Sequence, residues 1–238
     1  MSVFDPDIKF MPVYQLNETI SLPLPDLAES DGLLAVGGDL STERLILAYE
    51  NGIFPWYNSD QPILWWSPPK RMILYPNELK VSKSLKKSIE KGGFELRIDE
   101  NFTQVMQCCG RTKRKGQDGT WITKDMIDAY EHLHQMGFAH SFEIWKNNEL
   151  VGGLYGISLG RAFFGESMFS SVTDASKAAL YHLHKFAISH QFKYIDCQLH
   201  TSHLESLGAR EIQREQYLTE LAEALAYPYL KGSWTIED

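Results

Sequence analysis

The amino-acid sequence predicts a protein of the α/β class with an α+β organisation, in which a small N-terminal α+β domain precedes a larger domain with a mixed, mainly antiparallel sheet. Three observations support this. The chain of 238 residues is long enough for one large domain or two modest ones. Residues 1–75 are rich in Pro, Gly and Trp, whereas helical and strand-like segments alternate across 120–225. We expect domains at 1–95 and 96–238.

The N-terminal domain contains two predicted helices among loops and short strands. The first covers 41–51, where Ser41 is suitable as the N-cap and Gly52 as the C-terminal stop. The second lies within 80–91 and places its lysines largely on the face opposite Leu85.

The second domain has a clear succession of elements. FELRIDE alternates like a strand, NFTQVMQCCGR and TKDMIDAYEHLHQMG have the pattern of helices, and a charged loop separates the latter two. Three strand-like segments over 140–169, joined by turns at 146–149 and 159–161, predict a β-meander. A helix, DASKAALYHLHKFAISHQ, and a buried strand, FKYIDCQL, follow, and two further helices, SHLESLG and REQYLTELAEAL, complete the domain.

Composition excludes several classes of protein. Hydrophobic residues make up 43% and charged residues 23%, and no apolar run approaches the roughly 18 residues of a membrane span. The N-terminus lacks the pattern of a secretory signal, so a cytoplasmic location is expected. Acids exceed Lys and Arg by eight, which argues against a globally basic nucleic-acid binder but not against a local basic face.

Neither a cofactor nor a metal is expected. The sequence has no GxSxG elbow, Walker loop or HExxH motif, and its eight histidines show no ligand spacing, although His200 and His203 follow the predicted strand FKYIDCQL. Cys108, Cys109 and Cys197 fit neither a disulfide framework nor a CxxC zinc site, and we interpret them as reduced and structural.

Seven segments resemble the leucyl/phenylalanyl-tRNA–protein transferase family in order and spacing, over about residues 30–215. They are GLLAVGGDL, GIFPWYNSDQPILWWSPPKR, GTWITKDMIDAY, ELVGGLYG, FFGESMFS, DASKAAL and YIDCQL. The resemblance implies a cytoplasmic aminoacyltransferase that moves Leu or Phe from aminoacyl-tRNA to the N-terminal Arg or Lys of acceptor proteins and so marks them for N-degron (N-end rule) degradation. A monomer is expected.

Aromatic side chains are candidates for the substrate site. Four of the six tryptophans lie in two short segments, at Trp56, Trp65, Trp66 and Trp121. They can hold together a small domain with little aliphatic core, or they can stack on an unpaired base and enclose an apolar side chain. The resemblance places four aromatic residues near the aminoacyl-adenosine, namely Tyr49, Trp56, Trp121 and Tyr130.

Glu166 is a carboxylate in an apolar stretch, between Phe163, Phe164, Met168 and Phe169. It can reach water from an edge strand, or it can fix an amino group or a ribose hydroxyl beside an apolar pocket. The resemblance implies that Glu166, Phe163 and Leu154 form the donor pocket.

Asp196 and Gln198 alternate on a predicted strand, so both side chains are expected on one face and that of Cys197 on the other. The pair can satisfy a buried hydrogen-bond network, or the carboxylate can polarise the amide and help a neutral amine attack the ester. The resemblance assigns both residues to the reaction centre. We expect Asp196→Asn and Gln198→Ala to slow transfer without unfolding the protein.

A local basic face is predicted on the 80–91 helix. Its lysines can form an ordinary solvated face or contact tRNA phosphates, and the resemblance implies tRNA binding by Lys83, Lys86 and Lys87. Arg71 and Lys91 are candidates to extend this face. The loop with Arg111, Lys113, Arg114 and Lys115 is a second candidate.

Two other functions fit parts of the pattern. The order of C-terminal elements also resembles the N-acyltransferase superfold, whose members usually acetylate amines from acetyl-CoA. Such enzymes hold the pyrophosphate with a Gly-rich turn before a helix, and the corresponding SSVTDASKAAL contains no glycine. A non-catalytic adaptor for destabilising N-termini would need an acidic groove and no donor pocket.

Overall fold

Two β-sheets organise the computed structural model, which describes residues 13–112 and 120–235. The smaller sheet has the strand order β1-β2-β4-β3, with β1 at Tyr14–Leu16, β2 at Leu33–Gly37, β3 at Phe54–Pro55 and β4 at Leu64–Trp66. Its β1–β2 pair is parallel, and its other pairs are antiparallel.

The smaller sheet is accompanied by helix α1 at Thr42–Glu50, which begins after Ser41 as predicted. The chain leaves α1 through Gly52, whose φ is +70°. A Cβ at Gly52 would lie 2.7 Å from the ring of Tyr217, so this turn needs glycine for its backbone conformation and for space. Two short 3₁₀ helices cover Pro25–Leu27 and Pro76–Glu78.

The larger sheet has seven strands in the order β11-β5-β10-β9-β8-β7-β6. The strands are β5 at Lys70–Leu74, β6 at Glu95–Ile98, β7 at Ala139–Lys146, β8 at Glu149–Leu159, β9 at Ala162–Ser170, β10 at Tyr194–Gln198 and β11 at Arg210–Gln213. Strands β9 and β10 are parallel, and the remaining pairs are antiparallel. The predicted mixed, mainly antiparallel sheet is therefore confirmed.

Helices cover both faces of the larger sheet. They are α2 at Lys83–Lys91, α3 at Phe102–Arg111, α4 at Lys124–Gln135, α5 at Ala175–Ser189, α6 at Ser202–Ser206 and α7 at Arg214–Leu225. One core cluster joins α1, α3, α4 and α7 to one face and contains Phe164, whereas the other joins α5 to the opposite face and contains Phe163. Alternation along β9 thus sends neighbouring side chains into two cores.

The predicted meander is present as β7, β8 and β9. Asn147 and Asn148 turn the chain between β7 and β8 with φ of 53° and 63°, as a tight hairpin requires. Strands β5 and β11 were not predicted. Strand β5 precedes residue 95 and still belongs to the larger sheet, and the boundary at residue 95 stays a prediction. In the part of the chain that the structure describes, no helix is long and apolar enough to cross a membrane.

Candidate active site

A cavity of about 540 Å³ opens beside the middle of β9 and the carboxyl end of β10. Aromatic side chains form part of its wall, including Phe54, Trp56 and Trp121. Aliphatic side chains from β8, β9, α5 and β10 form another part, namely Leu154, Met168, Leu180, Leu183 and Ile195. Among the described residues that line the cavity, Glu166 carries the only carboxylate. The arrangement is a largely apolar pocket with one acidic group.

Glu166 accepts hydrogen bonds from three separate elements. Tyr49 of α1 and Gln198 Nε2 of β10 donate to its Oε1 at 2.7 and 2.6 Å. Tyr130 of α4 donates to Oε2 at 3.3 Å, and the two tyrosine hydroxyls lie 2.5 Å apart. Because the side chain of Glu166 is held from three directions, the carboxylate has a fixed position in the cavity wall.

Burial raises the pKa of Glu166 from 4.5 to about 7. Hydrogen bonds from Tyr49 and Gln198 favour the ionised form and oppose this rise, whereas the charge of Asp196 adds to it. Burial and the neighbouring Glu166 charge also raise the pKa values of Tyr49 and Tyr130 well above 10, so both hydroxyls stay protonated. Glu166 can therefore gain or lose a proton near neutral pH.

Asp196 lies behind the cavity in a buried ion pair with Arg71. Arg71 Nε lies 2.9 and 3.0 Å from the two carboxylate oxygens, and its terminal nitrogen lies 2.8 Å from Oδ2. Tyr217 donates to Oδ2 at 2.8 Å, and the backbone N–H of Gln198 donates to Oδ1 at 2.8 Å. Arg71 is only 1% exposed. The expectation that Arg71 extends an exposed basic face is therefore wrong.

A β-bulge lies between Asp196 and Gln198 at the end of β10. The pairing of β10 with β5 shifts register between these two residues, and Gln198 has a φ of +61°. Cys197 and Gln198 both line the cavity, whereas Asp196 faces Arg71. Tyr217, which bonds Asp196, belongs to the core cluster that contains Phe164, and so do the tyrosines that bond the Glu166 partner of Gln198, whereas Cys197 packs against the other cluster. These contacts agree with the prediction that Asp196 and Gln198 share one face and that Cys197 lies on the other.

Cys197 lines the cavity without the features of a nucleophile. Burial and then the negative charge of Asp196 raise the pKa of its thiol far above the usual range. The thiolate form is therefore suppressed, and the interpretation of Cys197 as a structural residue agrees with this environment.

The structure brings together most of the predicted substrate-site residues. Trp56, Trp121 and Leu154 line the cavity, and Tyr49 and Tyr130 support Glu166. The backbone carbonyl of Trp56 accepts a 2.7 Å hydrogen bond from the indole of Trp66, which holds the two rings edge to face.

Phe163 is fully buried in the core on the α5 side and lies outside the cavity lining. It packs edge to face against Phe142 at 6.5 Å. Phe163 therefore supports the pocket from behind instead of forming its surface.

Three of the four lysines of α2 are those that the sequence predicts to bind tRNA, Lys83, Lys86 and Lys87. They lie outside the cavity and are exposed. Lys86 approaches Glu90 at 3.9 Å along the same helix. In the second basic candidate, Lys113, Arg114 and Lys115 lie outside the described residues.

Sequence reasoning missed several cavity residues. Leu180 and Leu183 are three apart on α5, which indicates a buried helix face but not a pocket wall. His203, which the sequence singled out only by position, lines the cavity as well. No local sequence pattern indicated that Arg71 is buried in an ion pair, since its partner Asp196 is 125 residues away.

Within residues 13–112 and 120–235, no group of three or more His, Cys, Asp or Glu side chains could hold a metal ion.

Two family models match this chain. The model described as leucyl/phenylalanyl-tRNA protein transferase matches residues 73–222, and the model of its N-terminal domain matches residues 38–69. The chain belongs to this family. The resemblance found in the sequence motifs is thereby confirmed.

Curated relatives are similar along almost their whole length. The leucyl/phenylalanyl-tRNA–protein transferase of Anaeromyxobacter sp. (strain Fw109-5) is 53% identical over 227 residues, which are 95% of this chain and 97% of the relative. That of Legionella pneumophila (strain Corby) is 53% identical over 224 residues, with 94% and 99% covered. Among solved structures, FemX is similar with a TM-score of 0.48 and 14% identity, covering 76% of this chain and 71% of FemX.

Proposed function

We propose that this chain transfers leucine or phenylalanine from an aminoacyl-tRNA to the N-terminal Arg or Lys of an acceptor protein, and that transfer occurs in the cavity beside Glu166. Membership of the family supports the reaction. The observation that supports the location is the buried Glu166–Gln198 contact in the wall of a largely apolar pocket.

The two kinds of wall suit the two parts of the donor. A leucine or phenylalanine side chain fills the aliphatic part around Leu154, Leu180 and Leu183. The terminal adenine stacks on the aromatic part around Trp56 and Trp121, as unpaired bases commonly do on aromatic side chains. The ester between them then lies close to Glu166.

Glu166 has the pKa needed to assist aminolysis. The ester of an aminoacyl-tRNA is already activated, so the enzyme must chiefly position a neutral amine against its carbonyl carbon. As the acceptor nitrogen bonds to that carbon, it must lose a proton, and a carboxylate with a pKa of about 7 can take it at neutral pH. The proton then passes to the ribose oxygen that leaves.

Gln198 positions the amine in this proposal. Its Nε2 is engaged by Glu166, and its amide oxygen makes no hydrogen bond to residues 13–112 or 120–235. That oxygen is available to accept a hydrogen bond from the acceptor amine. The amine would then be held between Gln198 and Glu166.

Asp196 acts as a positioning residue. It does not line the cavity, and its oxygens accept hydrogen bonds from Arg71, Tyr217 and the backbone of Gln198. These contacts fix the bulge that turns Gln198 toward Glu166. The catalytic role predicted for Asp196 thus becomes, in this proposal, support of the Gln198 conformation.

The family uses aminoacyl-tRNA and protein acceptors. We infer that the exposed lysines of α2 bind the tRNA body and that this monomeric chain works in the cytoplasm, where charged tRNA is made. The modified acceptor would enter N-degron degradation.

One transfer assay tests the proposed function. Radiolabelled leucine or phenylalanine on its tRNA is incubated with a peptide that begins with Arg, beside the same peptide with an acetylated N-terminus. We expect label only on the free N-terminus. No label on either peptide, or acetylation of the peptide when acetyl-CoA replaces the tRNA, would contradict the proposal.

A further inference from the structure

A second cavity, of about 570 Å³, adjoins the first. His203 lines both cavities, so its side chain lies at their common boundary. The second cavity is lined by Lys80, Val81, Ser82, Leu85, Lys177, His203, Ser206 and Leu207. We refer to it as the lysine cleft.

The lysine cleft is basic. Lys80 is exposed at one side, and Lys177 lies in the first turn of α5. No carboxylate occurs among the described residues that line the cleft. Lys177 Nζ contacts Asp174 Oδ1 at 3.0 Å, which occupies one of its three donors and leaves two for another acceptor.

His203 is suited to the boundary between the two cavities. Burial and then the charge of Lys177 lower the pKa of its imidazole. The ring is therefore neutral at neutral pH and presents one N–H donor, without adding a charge to the lysines. A neutral ring is also compatible with the apolar wall of the first cavity.

The lysine cleft leads on to the basic helix α2. Ser82, the N-cap of α2, and Leu85, its buried residue, both line the cleft. Lys83 follows directly and is exposed, as are Lys86 and Lys87. Positive groups thus continue from Lys177 and Lys80 to the lysines of α2.

We propose that the lysine cleft binds the backbone phosphates of the single-stranded 3′ end of the donor tRNA, starting with the phosphate on the 5′ side of the terminal adenosine. This inference rests on the proposed function, which places the aminoacyl-adenosine in the adjoining cavity. Phosphates attract lysine as a point charge and accept hydrogen bonds from its ammonium group. The cleft would guide the strand from the reacting ester to α2.

The test compares two small donor analogues, since neither reaches α2. One is 3′-phenylalanylamino-3′-deoxyadenosine, which has an amide in place of the ester, and the other is its 5′-phosphate. Their dissociation constants are measured by calorimetry at low salt for the wild type, Lys80→Ala, Lys177→Ala and Lys177→Arg. Lys185→Ala is the matched control, because Lys185 is an exposed lysine on the same helix as Lys177 and lines neither cavity.

We expect the wild type to bind the 5′-phosphate about fivefold more tightly than the unphosphorylated analogue, the size expected for partly exposed charge pairs. Lys177→Ala and Lys80→Ala should reduce this preference and leave the affinity for the unphosphorylated analogue unchanged. Lys177→Arg and Lys185→Ala should keep it.

Equal binding of the two analogues to the wild type would overturn the inference while leaving the proposed function intact. An increased KM for the acceptor peptide in Lys177→Ala, with the phosphate preference retained, would overturn it too and assign the cleft to the acceptor. If neither analogue bound, the proposed location of the donor would fail together with the inference.

Discussion

Gln198 Nε2 donates a 2.6 Å hydrogen bond to Glu166 Oε1 from the neighbouring strand. In the parallel register of β9 and β10, Phe164 is paired with Asp196, so Glu166 and Gln198 each lie two residues further along. The parallel pairing therefore places Glu166, in the middle of β9, beside Gln198 at the carboxyl end of β10, where the cavity opens. This contact is the basis of the following predictions.

The stability of the protein should depend on the protonation of Glu166. Its pKa of about 7 in the folded state exceeds the ordinary 4.5, so its contribution is fully present below pH 4.5 and is lost as the pH rises through 7. The full effect is roughly 3 kcal/mol, since one pKa unit corresponds to about 1.4 kcal/mol. Urea unfolding of the wild type and Glu166→Gln between pH 4 and 8 measures it. A pH-independent difference between the two proteins would contradict this prediction.

Removing one member of the Arg71–Asp196 pair should destabilise the protein as well as slow transfer. Asp196→Asn leaves the buried guanidinium of Arg71 without its counter-charge, which typically costs about 3–5 kcal/mol. Arg71→Met should cost a similar amount. The double variant should be less destabilised than the sum of the two, because no unpaired charge remains.

Urea denaturation of all four proteins completes this cycle. Strict additivity would show that the two side chains do not stabilise each other. The sequence alone predicted that Asp196→Asn slows transfer without unfolding the protein. Because the buried ion pair makes this variant less stable, its transfer rate must be corrected for the fraction of folded protein.

Local elements of this fold could be predicted because their signals are contained in short segments. Ser41 and Gly52 delimit α1, and the two asparagines at 147 and 148 turn the meander. Strand β5 was not predicted, since KRMIL has two charged residues followed by three apolar ones, does not alternate and follows two prolines. Its partners β10 and β11 lie more than a hundred residues away in the sequence.

The site could be predicted in part. The family resemblance identified Tyr49 and Glu166 as candidate site residues. Their hydrogen bond joins residues that are 117 apart in the sequence, so no local pattern predicts it. The bulge at Gln198 depends on the pairing of β10 with β5, and therefore on a strand that was not predicted. Arg71 directly follows a Pro-rich segment, and its position in the sequence predicts a surface residue, whereas the structure shows it to be buried.

The shape of the aliphatic wall should select the donor. Leu154, Leu180 and Leu183 offer a pocket for leucine or phenylalanine, whereas a β-branch would crowd its mouth, so Val and Ile should be poor donors. A single methyl group misplaced in such a pocket is worth about 1–3 kcal/mol, or roughly 10- to 200-fold in kcat/KM. Competition among tRNAs charged with Leu, Phe, Val and Ile measures this selectivity. Equal transfer of Val, Ile and Leu would rule it out.

The lysines of α2 should contribute to binding of the whole tRNA but not of its 3′ end. Replacing Lys83, Lys86 and Lys87 by Ala should weaken tRNA binding and reduce the slope of log K against log salt by about 0.7–0.9 for each phosphate that a lysine no longer neutralises. Transfer from a short aminoacyl-adenosine should be unchanged, since that donor does not reach the helix. An unchanged salt slope would contradict this prediction and leave the second basic candidate, residues 111–115, to be tested.

The most direct test of the central claim is the single-turnover rate of transfer from phenylalanyl-adenosine as a function of pH, for the wild type, Glu166→Gln, Gln198→Ala and the exposed control Gln107→Ala. If the Glu166 carboxylate takes the amine proton, the wild-type rate rises through an inflection near pH 7, in addition to titration of the acceptor amine. Glu166→Gln should lose that inflection and about 100-fold in rate. Gln198→Ala should be slower than the wild type, and Gln107→Ala should match it. A Glu166→Gln enzyme with the wild-type rate and the same inflection would contradict the assignment of the reaction to this pair.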